Sequence, residues 1–304
     1  MIQVSNLYCF IVNKISGNGK ALKIWNYIEK HLQEKHIEYQ VRFTEGPNHA
    51  TALVKELIKK EKPSVITAVG GDGTIHEVIN GLLDANIPLG VIPAGSGNDF
   101  CRGLGIPLNY KKALKQLLKG ECTTVDIGCL NSTFFSTVVG VGFDAEVAKV
   151  TNDSNYKKLL NCVRLGNLSY YASVLRVLFH YKPADIFLKI DSKHYQIQNV
   201  WLVAIANTPF YAGGLLICPN AKYQDGLFNI RLVHGVSKWK FLKLFLYVFK
   251  GKHTAFSNVV NIYEGKEVEI YSVSSSLSAH GDGELIGQTP ARLKIEHNVL
   301  SVIR

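Results

Sequence analysis

No uninterrupted apolar segment in the 304 residues approaches the ~20 that a membrane-spanning helix needs, so the sequence is not that of a protein crossing a bilayer by helices. Targeting signals are equally scarce. Met1 to Lys14 moves straight into a strand-like run, Leu7 to Val12, without a basic lead or a small-residue cleavage site, which argues against secretion. The six cysteines (Cys9, Cys101, Cys122, Cys129, Cys162 and Cys218) are scattered and show no paired metal-type spacing. They read as reduced thiols of a cytoplasmic protein, most of them core filler. The ten histidines show no ligand spacing either. There is no internal repeat, and no low-complexity stretch beyond Ser272 to Ser278. Two signature nucleotide loops are missing as well, Gly-x-x-x-x-Gly-Lys-Ser/Thr and a helix-opening Gly-x-Gly-x-x-Gly; the second absence counts against a dinucleotide-dependent dehydrogenase.

What is present begins with size and charge. A hydrophobic content of 47% over this length permits two cores, because single cores stop growing near ~250 residues. The net charge of +10 suits an anionic partner: nucleic acid, nucleotide or an acidic membrane surface. Composition does not choose among them. Strand-like runs at Leu7 to Val12, Glu38 to Phe43, Val65 to Val69 and Ile87 to Ile92 each lead through a polar or glycine-rich loop into a helical pattern. That alternation predicts an α/β domain, a parallel sheet with helices on both faces, whose post-strand loops gather at one ligand-binding edge. After a helix at Lys111 to Gly120 the texture changes. Val125 to Leu130, Thr133 to Val141, a strand from Asp185, Tyr195 to Ala206, Glu267 to Val273, Arg292 to Ile295 and Val299 to Ile303 read as short strands, which predicts an antiparallel β-sandwich. The division is residues 1–130, a nucleotide-binding α/β domain, and 131–304, a β-rich domain, with a boundary near Leu130; the final strands are free to pack back on the first domain.

The stretch with the strongest chemical signal is Gly70-Gly71-Asp72-Gly73-Thr74, placed between a buried strand and a helix with Ile75, Val78, Ile79, Leu82 and Leu83 on one face. Glycines let another molecule approach the backbone, and the N–H groups of a helix start form a phosphate seat. Asp72 repels phosphate unless it binds a metal or takes a proton. The bland alternative is an ordinary turn capped by Asp72. Ser16-Gly17-Asn18-Gly19-Lys20 and Gly95-Ser96-Gly97-Asn98-Asp99 open at the same edge, and three such loops favour a nucleotide site.

Gly70 to Thr74 with Glu77 and Asn80-Gly81, then Pro88 to Pro93, Gly97-Asn98-Asp99-Phe100, Gly142-Phe143-Asp144, Gly213-Gly214 to Cys218-Pro219, Asp225-Gly226-Leu227 and Asp282-Gly283-Glu284 together resemble the diacylglycerol kinase catalytic-domain family, of the soluble bacterial lipid kinase type. The resemblance spans essentially the whole chain. It implies transfer of phosphate from ATP to a lipid hydroxyl, with diacylglycerol giving phosphatidic acid as the leading case. It also implies Mg²⁺ as cofactor and a lipid substrate met at an anionic membrane surface by a cytoplasmic, peripherally bound enzyme, with no nucleic-acid partner and a homodimer left open. By position, Asn13, Lys14, Ile15, Ser16, Gly17, Lys20, Thr44, Gly70, Gly71, Asp72, Gly73, Thr74, Ile75, His76 and Ser96 would surround ATP. Lys14 stands where the family has proline. An NAD kinase-like enzyme and a catalytically silent nucleotide-binding regulator are the competing readings.

Asp282-Gly283-Glu284 reads by itself as a hairpin turn. The resemblance makes Glu284 the proton acceptor from the lipid hydroxyl; Asp72, the other catalytic candidate, is then better cast as organising Mg²⁺, directly or through water, than as the base. Asp225-Gly226 also reads as a turn, and the resemblance implies a structural Mg²⁺ held by Asp225 with the backbone carbonyls of Lys222 and Leu227. Residues 237–253 mix lysines with Trp239, Phe241, Leu242, Phe245, Leu246 and Phe249. This is either a packed helix of the second domain or a membrane-facing one, and Tyr170 to Lys182 poses the same choice.

Overall fold

The computed structural model describes residues 7–83, 85–153 and 166–304; Cys162 lies outside them. Four strands, β1 (Tyr8–Val12), β2 (Tyr39–Phe43), β3 (Val65–Gly70) and β4 (Leu89–Pro93), run parallel in the spatial order β2-β1-β3-β4. Helices α1 (Lys20–Glu34), α2 (His49–Glu61) and α3 (Asp72–Leu82) make the crossovers. Every residue of β3 and β4 is buried, as a parallel strand covered on both faces requires. In α1 the apolar positions Ala21, Ile24, Trp25, Ile28 and Leu32 fall on one stripe and are all buried, with the Trp25 ring 5.0 Å from that of Phe10 on β1. Two shorter helices follow, α4 (Asp99–Leu104) and α5 (Tyr110–Leu117). Asn109 caps α5, its side-chain oxygen accepting from the N–H groups of Lys111 and Lys112.

β1 has β2 on one side and β3 on the other. The helices leaving β1 and β3 therefore run to opposite sides, and the loops between strand and helix gather at the carboxyl edge of the sheet, where ligands bind in folds of this kind.

The remaining strands pair antiparallel, except where the end of the last strand meets β4. β5 (Cys122–Leu130) and β6 (Thr133–Phe135) lead to β7 (Val138–Gly142), which pairs with β9 (Lys193–Ala206). β8 (Ala184–Ile190) also pairs with β9. A small hairpin, β10 (Phe210–Tyr211) and β11 (Leu215–Leu216), precedes β12 (Phe228–His234), which lies between β9 and β13 (Val260–Gly265). β14 (Glu267–Ser272), the hairpin β15 (Ser278–Gly281) and β16 (Glu284–Gln288), and β17 (Ala291–Ile303) complete the sandwich. One core fills its interior, around Val139, Val203, Ile230 and Leu293. Another lies where α6 (Phe143–Asp153), α7 (Gly166–His180) and α8 (Lys238–Val248) cover the outside of the sheet, around Trp201, Phe143 and Phe241.

Two strand expectations change. Thr133 to Val141 is not one strand: it breaks at Ser136-Thr137, whose N–H groups donate to the Asp282 carboxylate at 2.9 and 2.8 Å instead of to a neighbouring strand. Conversely, Arg292 to Ile295 and Val299 to Ile303 are one strand. β17 runs through both, bulging against β5 between Glu296 and Leu300, where Asp126 accepts the N–H of Asn298 and the Nδ1 of His297, each at 2.8 Å. The far end of β17 meets β4 in parallel through Val302 and Leu89. Leu300, Val302 and Ile303 are buried in the core of the α/β domain.

Among the described cysteines, Cys9, Cys101 and Cys218 are buried, Cys129 is half-buried and Cys122 is exposed, all as free thiols. No described helix is long and apolar enough to cross a membrane.

Candidate active site

The three glycine loops at the carboxyl edge are pressed against one another. A Cβ on Gly71 would lie 3.0 Å from the Cα of Gly95, and one on Gly17 would run into the carbonyl oxygen of Ala94. Only backbone fits at these contacts. Hydrogen bonds fix the arrangement. Ala94 and Gly95 both donate to the Gly70 carbonyl at 2.8 and 3.2 Å, and Asn13 donates its N–H to Val69 at 3.1 Å. The Asn13 amide reaches Thr74 Oγ1 at 3.1 Å, and Asn98 clasps Gly95 through both its side-chain atoms. Neither α1 nor α3 has a side-chain cap at its N-terminus, so both helix starts suit an anionic ligand.

Beside these loops stand two carboxylates. A Cβ on Gly97 would lie 2.8 Å from Asp72 Oδ2 and 3.4 Å from Asp99 Oδ2, so the pair converges there. Asp72 accepts from the Phe100 N–H at 3.1 Å, and Asp99 from the Gly213 N–H at 2.7 Å. Asp99 Oδ1 is buried without a hydrogen bond, with Arg102 Nε 4.0 Å away. Burial first, and then the charge of Asp99, pushes the Asp72 carboxyl up to about 7; burial likewise raises Asp99. Two carboxylates held this way favour a proton or a cation between them.

The second domain supplies the turn between β15 and β16. Asp282 and Gly283 both have positive φ, 53° and 89°, which gives the hairpin expected from the sequence. The Asp282 side chain, however, is turned inward. It accepts from the N–H and hydroxyl groups of both Ser136 and Thr137, and His76 Nδ1 on α3 lies 3.0 Å from its Oδ2. Burial alone would raise the Asp282 carboxyl, but His76 and the Thr137 and Ser136 donors outweigh it and hold it below the usual range. This knot delivers Glu284 across the domain boundary: a Cβ on Gly73 would lie 3.2 Å from Glu284 Oε1.

Between the loops and the sandwich is a cavity of about 190 Å³, lined among others by Asp72, Asp99, Asp144, Tyr211, His280 and Gly283. His280 Nε2 lies 3.4 Å from Asp144 Oδ2; that oxygen and both ring nitrogens are buried without a hydrogen bond. The cavity thus offers polar groups to an acceptor.

Of the residues expected around the nucleotide, Asn13, Ser16, Gly17, Gly70 to Thr74 and Ser96 belong to the three joined loops. Lys14 sits over the Phe43 ring, 5.3 Å from its centre, and Thr44 is tied by its N–H to Val12 at 3.0 Å, next to that loop. Ile15 and Lys20 are exposed on it. Two members face elsewhere. Ile75 is wholly buried in the α/β core, and the His76 ring is engaged by Asp282. Asp225, Lys222 and Leu227 lie apart from the glycine loops, around Asp126, which accepts the Gly226 N–H at 2.7 Å. Asp225 accepts the Leu227 N–H at 3.1 Å, and burial, with the Asp126 charge added, raises its carboxyl.

A family model described as the diacylglycerol kinase catalytic domain matches residues 8–130, and one described as the YegS C-terminal NAD kinase beta sandwich-like domain matches 137–304. A Mycobacterium tuberculosis protein named diacylglycerol kinase is 31% identical over 301 residues, covering 97% of this chain and 94% of its own. The chain is a member of the diacylglycerol kinase family. A Bacillus subtilis family member, named as a candidate lipid kinase, YtlR, is 31% identical over 295 residues, covering 93% of this chain and 95% of its own. A Bacillus anthracis crystal structure described as a candidate diacylglycerol kinase superposes with a TM-score of 0.81 at 26% identity, covering 98% and 97% of the two chains. The kinase family places the α/β domain and the antiparallel sandwich in one architecture, as observed.

Asp99, Asp144 and His280 carry no local signal of a role in the sequence, and Asp282 none beyond its turn. Asp99 and Asp144 lie within quoted motifs, yet nothing local shows that they face one cavity. His280 lies far along the chain from the glycine turn and carries no pattern at all.

Proposed function

We propose that this kinase transfers the γ-phosphate of ATP to a lipid hydroxyl, with diacylglycerol the leading acceptor and phosphatidic acid the product. The observation that carries the reading is the approach of Glu284 to Gly73, which sets a carboxylate of one domain against the uncapped start of α3 in the other. Backbone N–H groups of the glycine loops hold the phosphates. The lipid hydroxyl oxygen bonds to the γ-phosphorus, the bond from that phosphorus to the β,γ-bridging oxygen breaks, and Glu284 takes the hydroxyl proton. ADP and the phosphorylated lipid leave.

Phosphoryl transfer rests mainly on positioning and on neutralising phosphate charge, which Mg²⁺ supplies when bound. Asp72 and Asp99 fit a hard cation: both are raised by burial, and they converge at Gly97. Asp225 fits one too, because a cation would offset the repulsion from Asp126. Among the described residues no cluster of three or more His, Cys, Asp or Glu is arranged as a metal site, so a cation here would complete its shell with carbonyl, water and phosphate oxygens.

The deciding experiment is transfer of labelled phosphate from ATP across a panel of lipids in vesicles, with NAD in solution as a further acceptor. Transfer to diacylglycerol that falls by a factor of at least ~10² in Asp72→Ala is the expected result. Transfer to NAD without vesicles, or ATP binding with no transfer to anything, overturns the reading. Gly95→Ala gives an independent check. Its new methyl would strike the Gly71 backbone, so the affinity for ATP measured by calorimetry should fall at least about tenfold, with 1–3 kcal/mol of lost stability from overpacking.

A further inference from the structure

The structure divides the lysine-rich aromatic segment into two faces. On α8, Phe241, Leu244 and Val248 are buried against the sheet. The opposite stripe carries Trp239, Lys243, Leu246 and Tyr247, with Lys250 just past the helix end, all exposed; Trp239 and Leu246 are 65% and 64% accessible. α7 adds to that surface. Its Val174, Val177 and Leu178 are buried while Leu175 and Phe179 are exposed. The two helices are tied at the surface: the Phe179 and Trp239 rings meet edge-on at 6.2 Å, and Lys238 Nζ donates to the Phe179 carbonyl at 2.6 Å.

Packing explains the inner faces; among the described residues nothing covers Trp239, Leu246 or Phe179 beyond the ring contact of Phe179 with Trp239. The charge around them indicates what would. Residues 237–256 contain five lysines and no Asp or Glu, and residues 166–184 contain Arg176 and Lys182 and no Asp or Glu. An aromatic and aliphatic surface whose own two helices carry only positive charge, with Glu146 of α6 beside Arg176 and Lys182 at one margin, is complementary to an anionic bilayer, whose headgroups attract lysine while the apolar rings enter the interface. A protein partner would not require every charge on both helices to be positive.

We propose that the outer faces of α7 and α8 together dock the protein on an anionic lipid surface, with Trp239, Leu246 and Phe179 entering the interface and Lys240, Lys243 and Lys250 contacting headgroups. The proposal deepens the lipid-kinase reading by assigning the face from which the acceptor is reached. α6 supplies the continuity: Ala148 and Thr151 on it line the cavity, and its Phe143 ring packs 4.8 Å from the Phe241 ring of α8.

Trp239 provides a direct probe, because Trp25 and Trp201 are buried, at 1% and 2% exposure. Without ATP present, phosphatidylcholine vesicles containing phosphatidylglycerol should shift the tryptophan emission of the full chain to the blue and sediment it; pure phosphatidylcholine should do neither. Lys240→Glu with Lys243→Glu should weaken sedimentation by at least about thirtyfold, and Trp239→Ala should abolish the shift. Both variants should keep wild-type transfer to a short-chain diacylglycerol dispersed as monomers. Unchanged binding in the double variant, or an emission shift that follows protein concentration without vesicles and so marks a second copy on this face, overturns the proposal. Because binding is measured without turnover, its failure is separate from failure to phosphorylate a lipid.

Discussion

Glu284→Gln is expected to lower kcat by about 10²–10⁴ while the affinity for ATP and the unfolding midpoint stay at their wild-type values. Glutamine keeps the shape of the side chain and removes its capacity to accept a proton. Glu284 is exposed at the end of a turn whose structure is held by its neighbour Asp282, so the change should not propagate into the fold. Its nearness to Gly73 places it where the acceptor hydroxyl would meet the γ-phosphate. Single-turnover transfer at saturating ATP, with circular dichroism as the control, checks this. Near-wild-type turnover would remove Glu284 from the role of base.

Asp282→Ala should act differently, on the fold and on turnover together. The substitution leaves the N–H groups of Ser136 and Thr137 without their acceptor in a buried site and strips His76 of its partner, a loss of about 3–5 kcal/mol by analogy with other buried pairs broken on one side. Chemical denaturation should show it as a lower midpoint, with turnover falling because Glu284 loses its support. The pair also sets a pH window. Burial opposes charge on His76, but the Asp282 hydrogen bond and charge, with smaller contributions from Glu284 and Glu77, outweigh it and raise the imidazole above its ordinary 6.5. Stability from that shift is complete below pH 6.5 and is lost as pH rises through the raised value. The lowered Asp282 contributes above its ordinary 3.8 and is lost as pH falls through its lowered value. Between pH 6.5 and 9 the wild type should therefore lose more stability than His76→Gln, and equal losses would show that the imidazole is not charged in the fold.

The α/β domain was legible because its signals are local. A buried strand, a glycine turn and a striped helix occur within twenty residues, and repeating that unit dictates a parallel sheet with its loops on one edge. Gly71 and Gly95 could be read as loop residues, though not as partners in contact, since nothing in either loop names the other. The strand break at Ser136-Thr137 was invisible for the same reason: the residues are strand-like, and what diverts their N–H groups is a carboxylate about 145 positions away. Asp-Gly reads identically whether its carboxylate is in solvent or, as here, joins two domains. Glu284 came into view through family resemblance, and the cavity pair Asp144 and His280 only through the fold. In residues 237–253 the mixture of lysines and aromatics left a packed helix and a membrane-facing one both open, and the sheet had to be in place before either face could be assigned.

The path of β17 bears on how the enzyme can move. Its first half belongs to the sandwich, paired with β14, and its last residues are buried with the α/β strands, beside β4. The β-rich domain is thus an insertion anchored at both ends, between β5 and the close of β17, and those two strands pair along most of their length. Domains strung on one linker can swing apart like beads. Here opening would have to bend a two-stranded ribbon, which resists large hinge excursions.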